Sequence, residues 1–275
     1  MIRQKVSFTS LMYILIIGWL AFNLLPIFWT LMTSIKKPVD AFAIPPVWNF
    51  KPTLNAYYQL WVERGFTFYL KNTLIVAFAS VLFSMPIASL AGYALARYRS
   101  RISFILIMVA MIFRALPRMA FVLPYYYLAR LTGLYDTKIL LILIVVALNQ
   151  PFSIWLLRSF FMDIPKELEE SAMIDGCTYF QAFRRVIVPV MLPGVATSGI
   201  FTFYMAYNEF MFPVVLTAER AVTLPVAISQ FGAENIKYWT ISAAGALSIA
   251  LPVLIMVLLA QKLIIRGLTA GAVKG

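Results

Sequence analysis

The uncharged run NTLIVAFASVLFSMPIASLAGYALA, residues 72–96, decides the fold of this chain. A helix needs about 20 consecutive apolar residues to cross the hydrocarbon core of a bilayer, and this run is longer than that. Soluble proteins carry about 25% charged residues. Here only 12% of the 275 residues are charged and 62% are hydrophobic, so the sequence predicts an integral membrane protein.

Five further apolar segments have the length of a membrane span. The predicted spans are residues 11–33, 72–96, 102–129, 139–157, a segment within 186–208, and 241–261. In lipid a chain must satisfy its own backbone hydrogen bonds, which favours helices. The sequence therefore predicts an all-α integral membrane protein with about six transmembrane helices, forming a single polytopic domain over residues 1–275.

Both termini are predicted to lie in the cytoplasm. The basic segment MIRQKVSFTS precedes an apolar run that is too long for a cleaved signal peptide, so this run is predicted to be retained as the first span. Six spans place both termini on one side, and basic residues favour the inner side. Arg97, Arg99 and Arg101 cluster after the second span, and Arg184 and Arg185 precede the fifth, which favours an inner N-terminus.

Composition argues against several function classes. The net charge of +12 falls beside apolar spans, where lipid headgroups and topology account for it better than nucleic acid does. The chain has no histidine, which removes histidine-based triads, HExxH zinc sites and His-ligated haem, and its one cysteine permits no internal disulfide. Neither a GxxxxGK(S/T) loop nor GxGxxG occurs. We therefore predict no catalytic residue, no metal site and no cofactor bound by this chain.

A charged, amphipathic island, PKELEESAMIDGCTYFQAFRRVIVPVMLP at residues 165–193, separates two of the apolar runs. Pro165 suits a helix start, and the acidic residues that follow it are favoured by the helix dipole. Asp175-Gly176 indicates a helix stop, and a second helix is predicted from about Thr178. The island therefore predicts a cytoplasmic helix–turn–helix. Its three glutamates would be repelled by anionic headgroups, which favours a protein partner over the lipid surface.

Two groups of polar residues are candidates for a hydrated path across the membrane. Arg114 and Arg118 are four residues apart and share a helical face. Tyr204 and Asn208 share a face of the fifth span, with Glu209 adjacent. An arginine in mid-membrane normally faces protein or water, so we hypothesise that one of these arginines pairs with Glu209.

A purely structural role for these residues is the alternative to a hydrated path. Pro117 would break the helix, Arg118 would lie at the outer interface, and Glu209 would make a structural bond. Other prolines also fall within the predicted spans, where proline permits kinks.

The island resembles the EAA loop of the permeases of ABC importers. That pattern is EAA, three residues, G, and a distal I-x-LP element. The matching positions are Glu170-Ser171-Ala172, Asp175-Gly176, Phe183, Ile187, Pro189 and Pro193. The chain departs from the pattern at Ser171, at Cys177 and at Val188-Pro189.

The resemblance continues outside the island, from about residue 72 to 265 and into a tail at 266–275. Residues 133–137, GLYDT, are similar to the family's GL-x-DT element, and residues 207–210, YNEF, to its WNEF segment. Residues 223–226, TLPV, follow in the expected place. The C-terminal GLTAGAVKG resembles the carbohydrate-type subfamily, in particular the second permease subunit of maltose-type importers.

The resemblance implies a machine of several subunits in a bacterial or archaeal cytoplasmic membrane. Two homologous permeases would form the pore, two ATPase subunits would hold ATP and Mg, and an extracytoplasmic solute-binding protein would deliver a sugar. The residues implied in ATPase coupling are Glu170, Ser171, Ala172, Asp175, Gly176, Phe183 and Pro189. The tail residues implied to contact the ATPase are Thr269, Ala270, Gly271 and Lys274.

Two other function classes compete with a sugar permease. A secondary transporter needs coupling carboxylates inside the spans, and only Glu209 qualifies. An intramembrane enzyme has little chemistry available without histidine, although a serine–lysine pair is open to it. The identity of the sugar is not encoded in any of these motifs.

Overall fold

The computed structural model describes the backbone of residues 2–98, 100–234 and 238–270, and the side chains of 9–98, 100–231, 238–259 and 261. All regular structure in these ranges is helical. The α-helices are α1 Ile2–Ser34, α2 Pro38–Ala41, α3 Asn55–Tyr58, α4 Phe66–Arg97, α5 Arg101–Ala115, α6 Met119–Leu131, α7 Lys138–Asp163, α8 Glu167–Ile174, α9 Tyr179–Ala182, α10 Val188–Tyr207, α11 Met211–Leu216, α12 Leu224–Glu234 and α13 Trp239–Ala270. Two π-helical turns occupy Gln59–Glu63 and Phe183–Ile187.

Five helical segments are long and apolar enough to span a membrane. They are Thr9–Ser34, Phe66–Arg97, Lys138–Asp163, Tyr179–Tyr207 and Trp239–Leu259. Helices α5 and α6 meet the same criterion as a pair, but they are bent by 90° at the short break between them. Five of the predicted spans are therefore confirmed as helices of spanning length, and the third corresponds to this bent pair, so its crossing of the membrane stays a prediction.

The break between α5 and α6 follows from one proline. Leu116, which ends α5, has an extended backbone at φ −64° and ψ 146°. The ring of Pro117 disfavours the helical region for the residue before it, so the helix stops there. Pro86, Pro151 and Pro252 lie inside continuous helices instead.

The chain forms two compact units. The first comprises Met1–Thr67 and Ala227–Leu251, and the second comprises Phe68–Val226 and Pro252–Gly275. In the first unit the guanidinium of Arg64 lies over the rings of Phe231 and Tyr238, at 4.9 Å and 4.2 Å from their centroids. The prediction of one polytopic domain stays a prediction.

In the second unit, α4, α7 and α10 pack through small and polar residues. A Cβ on Gly92 of α4 would approach the backbone nitrogen of Arg158 to 3.1 Å, so glycine permits the close approach of α7. Ser84 donates to Gln150 at 2.5 Å, and the hydroxyls of Ser153 and Thr202 are 3.1 Å apart. Small residues and interhelical hydrogen bonds are the usual means of helix association in membranes.

Candidate functional site

The helix–turn–helix predicted in the island is present in the structure. Helix α8 ends in a Schellman motif, because Gly176 N–H donates to Met173 O at 3.0 Å and Cys177 N–H to Ala172 O at 3.0 Å. Gly176 has φ +88°, a left-handed conformation that glycine adopts without a Cβ penalty. The predicted stop at Asp175-Gly176 is confirmed, while its cytoplasmic location stays a prediction.

The second helix of the motif begins at a capping box. Thr178 Oγ1 accepts from Gln181 N–H at 3.3 Å, and Gln181 Oε1 accepts from Thr178 N–H at 2.9 Å. Helix α9 then continues through the π-helical turn into α10. The turn at Gly176 therefore joins a short separate helix, α8, to the end of a long span.

The residues implied in ATPase coupling divide into an exposed and a buried set. Those with exposed side chains or surfaces are Glu170, Ser171, Asp175, Gly176 and Pro189. Ala172 and Phe183 are buried, and the ring of Phe183 packs 4.7 Å from that of Tyr93. Phe180, three residues before Phe183, is instead 64% exposed.

An apolar patch surrounds the turn. Ile174 is 86% exposed, Tyr179 is 72% exposed and Phe180 is 64% exposed. With exposed Glu170 beside them, these residues form a mixed acidic and apolar surface, which we call the α8–α9 surface. Large apolar side chains exposed on both sides of one turn make it a candidate interaction site.

One functional candidate escaped the sequence analysis. In sequence, Glu169 resembles the other acidic residues of the first turn of α8. In the structure, however, Glu169 is only 7% exposed. It forms an ion pair with Arg97 at the end of α4. The spacing of 72 residues between the partners carries no periodic signal, so only the tertiary structure reveals the pair.

The hypothesis that an arginine pairs with Glu209 is confirmed for Arg118. The Arg118 guanidinium and the Glu209 carboxylate form an ion pair, and Glu209 is buried. Glu209 Oε1 also accepts from the N–H groups of Met211 and Phe212 at 3.1 Å and 3.5 Å, at the start of α11. The alternative is therefore correct in two points, since Pro117 breaks the helix and Glu209 has a structural role.

Arg114 does not join this pair. Its guanidinium lies 4.8 Å from the ring centroid of Phe152, and Nη2 contacts Met205 Sδ at 3.5 Å. Tyr204 and Asn208 are exposed on one face of α10, with Asn208 Nδ2 donating to Tyr204 O at 2.9 Å. A path along this face stays a prediction.

The tail residues fall at the limit of the described chain. Helix α13 ends at Ala270, so the backbone of Thr269 and Ala270 is helical. Their side chains, together with Gly271 and Lys274, lie outside the described residues.

Reversing the charges of Arg118 and Glu209 tests their pairing. We expect Arg118→Glu to reduce the yield of folded protein, because the buried Glu209 carboxylate loses its partner at a cost of about 3–5 kcal/mol. Glu209→Arg should also reduce the yield, because it places an arginine at the buried position beside Arg118. The double reversal should restore only part of the yield, since arginine at 209 cannot accept from Met211 and Phe212 N–H. The measurement is monodisperse protein recovered from detergent extracts, with exposed Lys71→Glu as control. No recovery in the double variant counts against pairing.

Comparisons with known proteins all identify membrane components of transport systems. A family model described as "Binding-protein-dependent transport system inner membrane component" matches residues 84–268. A trehalose transport system permease protein of Mycobacterium tuberculosis is 34% identical over 278 residues, covering 99% of each chain. A diacetylchitobiose uptake system permease protein of Streptomyces coelicolor is 36% identical over 252 residues, covering 91% of each.

A solved structure shares the fold. It is a chain of a bacterial ABC transporter involved in the import of the acidic polysaccharide alginate, with a TM-score of 0.76 and 24% identity. The match covers 94% of this chain and 97% of that one.

Proposed function

Because the chain belongs to the family of binding-protein-dependent transport system inner membrane components, and is thus a permease subunit of an ABC importer, we propose that it forms a path for a sugar or oligosaccharide together with a second permease. ATP hydrolysis in two partner ATPase subunits drives the transport. The α8–α9 surface carries this proposal, since it supplies a docking site at the end of a span.

The sugar class is supported by the relatives. One relative belongs to a trehalose transport system and another to a diacetylchitobiose uptake system. The ABC transporter that shares the fold is involved in the import of the acidic polysaccharide alginate. The exposed hydroxyl and amide of Tyr204 and Asn208 offer donors and acceptors of the kind that sugar hydroxyls bind.

A second permease is supported by the surfaces of the spans. Every residue from 9 to 29 of α1 is exposed, so this apolar helix has surface available for neighbouring membrane helices. In the second unit an open apolar cavity of about 600 Å³ is lined by residues of α4, α10 and α13, including Phe78, Ile200 and Ile255. Both surfaces offer contact area to further helices.

The lack of a nucleotide-binding motif in the sequence supports separate ATPase partners. The chain has no phosphate-loop pattern, so ATP and Mg belong in the partner subunits. The α8–α9 surface, flanked by Arg184 and Arg185, then faces the cytoplasm, as basic residues at span ends favour. Both termini lie on that side, where the tail from residue 266 meets the ATPases.

An extracytoplasmic binding protein completes the complex. A structure of the bacterial alginate ABC transporter contains an alginate pentasaccharide-bound periplasmic protein, and one of its chains shares this fold at a TM-score of 0.69. We propose that an analogous protein delivers the cargo to the outer mouth of the path here.

Reconstitution tests the proposal directly. The tagged chain should co-purify with two ATPase subunits and a second permease. In proteoliposomes, ATP hydrolysis should rise when the binding protein is loaded with one member of a saccharide panel. Uptake by the chain alone, driven by a proton or sodium gradient, would instead identify a secondary transporter. Stimulation by a non-sugar solute alone would overturn the sugar class while keeping the importer.

A further inference from the structure

Two adjacent glutamates at the start of α8 have opposite surroundings. Glu170, the residue aligned with the coupling motif, is exposed, whereas Glu169 is 7% exposed. One residue of the pair is thus free for a partner chain, and its neighbour is held inside its own chain.

Glu169 is held by two side chains of α4. Tyr93 Oη donates to Glu169 Oε2 at 2.8 Å, and Arg97 Nε donates to Oε1 at 2.5 Å. Arg97 Nη2 completes the ion pair with Oε1. Both carboxylate oxygens of Glu169 are therefore bonded to side chains of α4.

Arg97 extends the same contact to a third helix. Its Nη1 donates to the backbone oxygen of Phe161 at 3.0 Å and to that of Ile164 at 3.4 Å, where α7 ends. The rings of Tyr93, Phe161 and Phe183 pack around the pair, with centroids 4.7 Å to 6.3 Å apart. A single guanidinium thereby joins the ends of α4 and α7 to the first turn of α8.

Stability alone does not explain such a pair. Well-packed apolar residues in place of a buried ion pair are often neutral or stabilising, because desolvating two charges is costly. What the pair does provide is fixed geometry, since a planar guanidinium bonds its partners in set directions. When α8 moves, an ion pair with fixed geometry moves the attached helix ends with it.

We propose that Glu169, Arg97 and Tyr93 are positioning residues that transmit movement of α8 to the cytoplasmic ends of α4 and α7. The inference rests on the proposed function, in which a partner ATPase moves α8 through its exposed surface. Force applied at Glu170 passes to the adjacent Glu169 and from there to two spans at once. Other residues contact the partner, and this cluster determines whether the contact moves the helices.

The test uses the reconstituted importer with all its subunits. Glu169→Gln removes the negative charge and leaves a buried arginine without its partner, so this variant can fail to fold. The double variant Arg97→Gln/Glu169→Gln leaves no buried charge and keeps hydrogen-bonding side chains. We expect the double variant to assemble with the ATPases as the wild type does, while sugar uptake per ATP hydrolysed falls about tenfold, within the range of coupling between linked sites.

Glu167→Gln is the matched control, since this residue occupies the same first turn but is exposed. It should keep the wild-type ratio of uptake to hydrolysis. Tyr93→Phe removes one hydrogen bond and no charge, and should lower the ratio less than the double variant does. Wild-type coupling in the double variant overturns the inference and leaves the proposed function intact. A wild-type complex that shows no ATP-driven uptake overturns the proposed function itself.

Discussion

Replacing Gly176 by leucine is expected to abolish sugar uptake while the chain still inserts in the membrane. Gly176 has φ +88°, where an L-residue with a Cβ costs about 1–2 kcal/mol. A Cβ at this position meets no heavy atom within 4 Å, so the effect is one of backbone conformation and not of crowding. The strain opposes the Schellman bonds that end α8, and the helix loses its fixed direction. The measurement is uptake at matched membrane content.

Gly65→Leu is a matched control for this substitution. Gly65 has φ +63° and likewise no heavy atom within 4 Å of a Cβ, but it lies far along the chain from the α8–α9 surface. Equal loss of uptake in both variants would indicate general instability. Glu170→Ala is a companion variant, because it removes an exposed carboxylate without altering the turn. It should also abolish uptake if the ATPase binds there, and wild-type uptake by either coupling variant would refute the assignment.

The spans were predictable because their signal is local. A run of about 20 apolar residues in a chain with few charges has one stable solution in lipid, and each predicted segment corresponds to a helix or a bent pair. The bend between α5 and α6 was predictable only in part. Its position was expected from Pro117, which keeps Leu116 out of the helical region. The size of the bend depends on packing that no local pattern encodes.

The candidate site was predictable only in part, for the same reason. The helix stop at Gly176 and the cap at Thr178 depend on neighbouring residues, so their sequence signals are reliable. The three glutamates of α8 look equivalent in sequence, because each suits the first turn of a helix. Their difference comes from Arg97, which is brought to Glu169 by the packing of α4 against α7. The pairing of Arg118 with Glu209 was predictable as a hypothesis, since few acids lie within the spans.

Asp136 is the clearest case of a motif residue whose role the structure supplies. It lies in the GLYDT segment between α6 and α7 and has φ +57°. Its Oδ1 accepts from the N–H groups of Ala218 and Ala221 at 2.9 Å and 3.1 Å, and its Oδ2 from those of Glu219 and Arg220 at 3.1 Å and 3.0 Å. One carboxylate thus fixes the loop that leads from α11 to α12.

We expect Asp136→Asn to destabilise the chain by about 2 kcal/mol, because an amide serves as acceptor with one oxygen and turns a donor toward the other N–H groups. Asparagine tolerates the left-handed conformation, so the substitution tests the hydrogen bonds and leaves the backbone preference largely unchanged. The measurement is the free energy of unfolding in detergent by denaturant titration, followed through tryptophan fluorescence. An unchanged midpoint in Asp136→Asn would show that water replaces the four bonds.

Asp136 also makes stability depend on pH in a predictable direction. Burial raises the pKa of this carboxyl, but the four backbone N–H groups that it accepts from outweigh burial and lower the pKa below the ordinary 3.8. A group with a lowered folded-state pKa contributes stability above its unfolded pKa and loses that contribution as the pH falls through the folded value. The difference in unfolding free energy between wild type and Asp136→Asn should therefore be constant near neutral pH and shrink below about pH 4. A difference that grows on acidification would contradict the role of the ionised carboxylate.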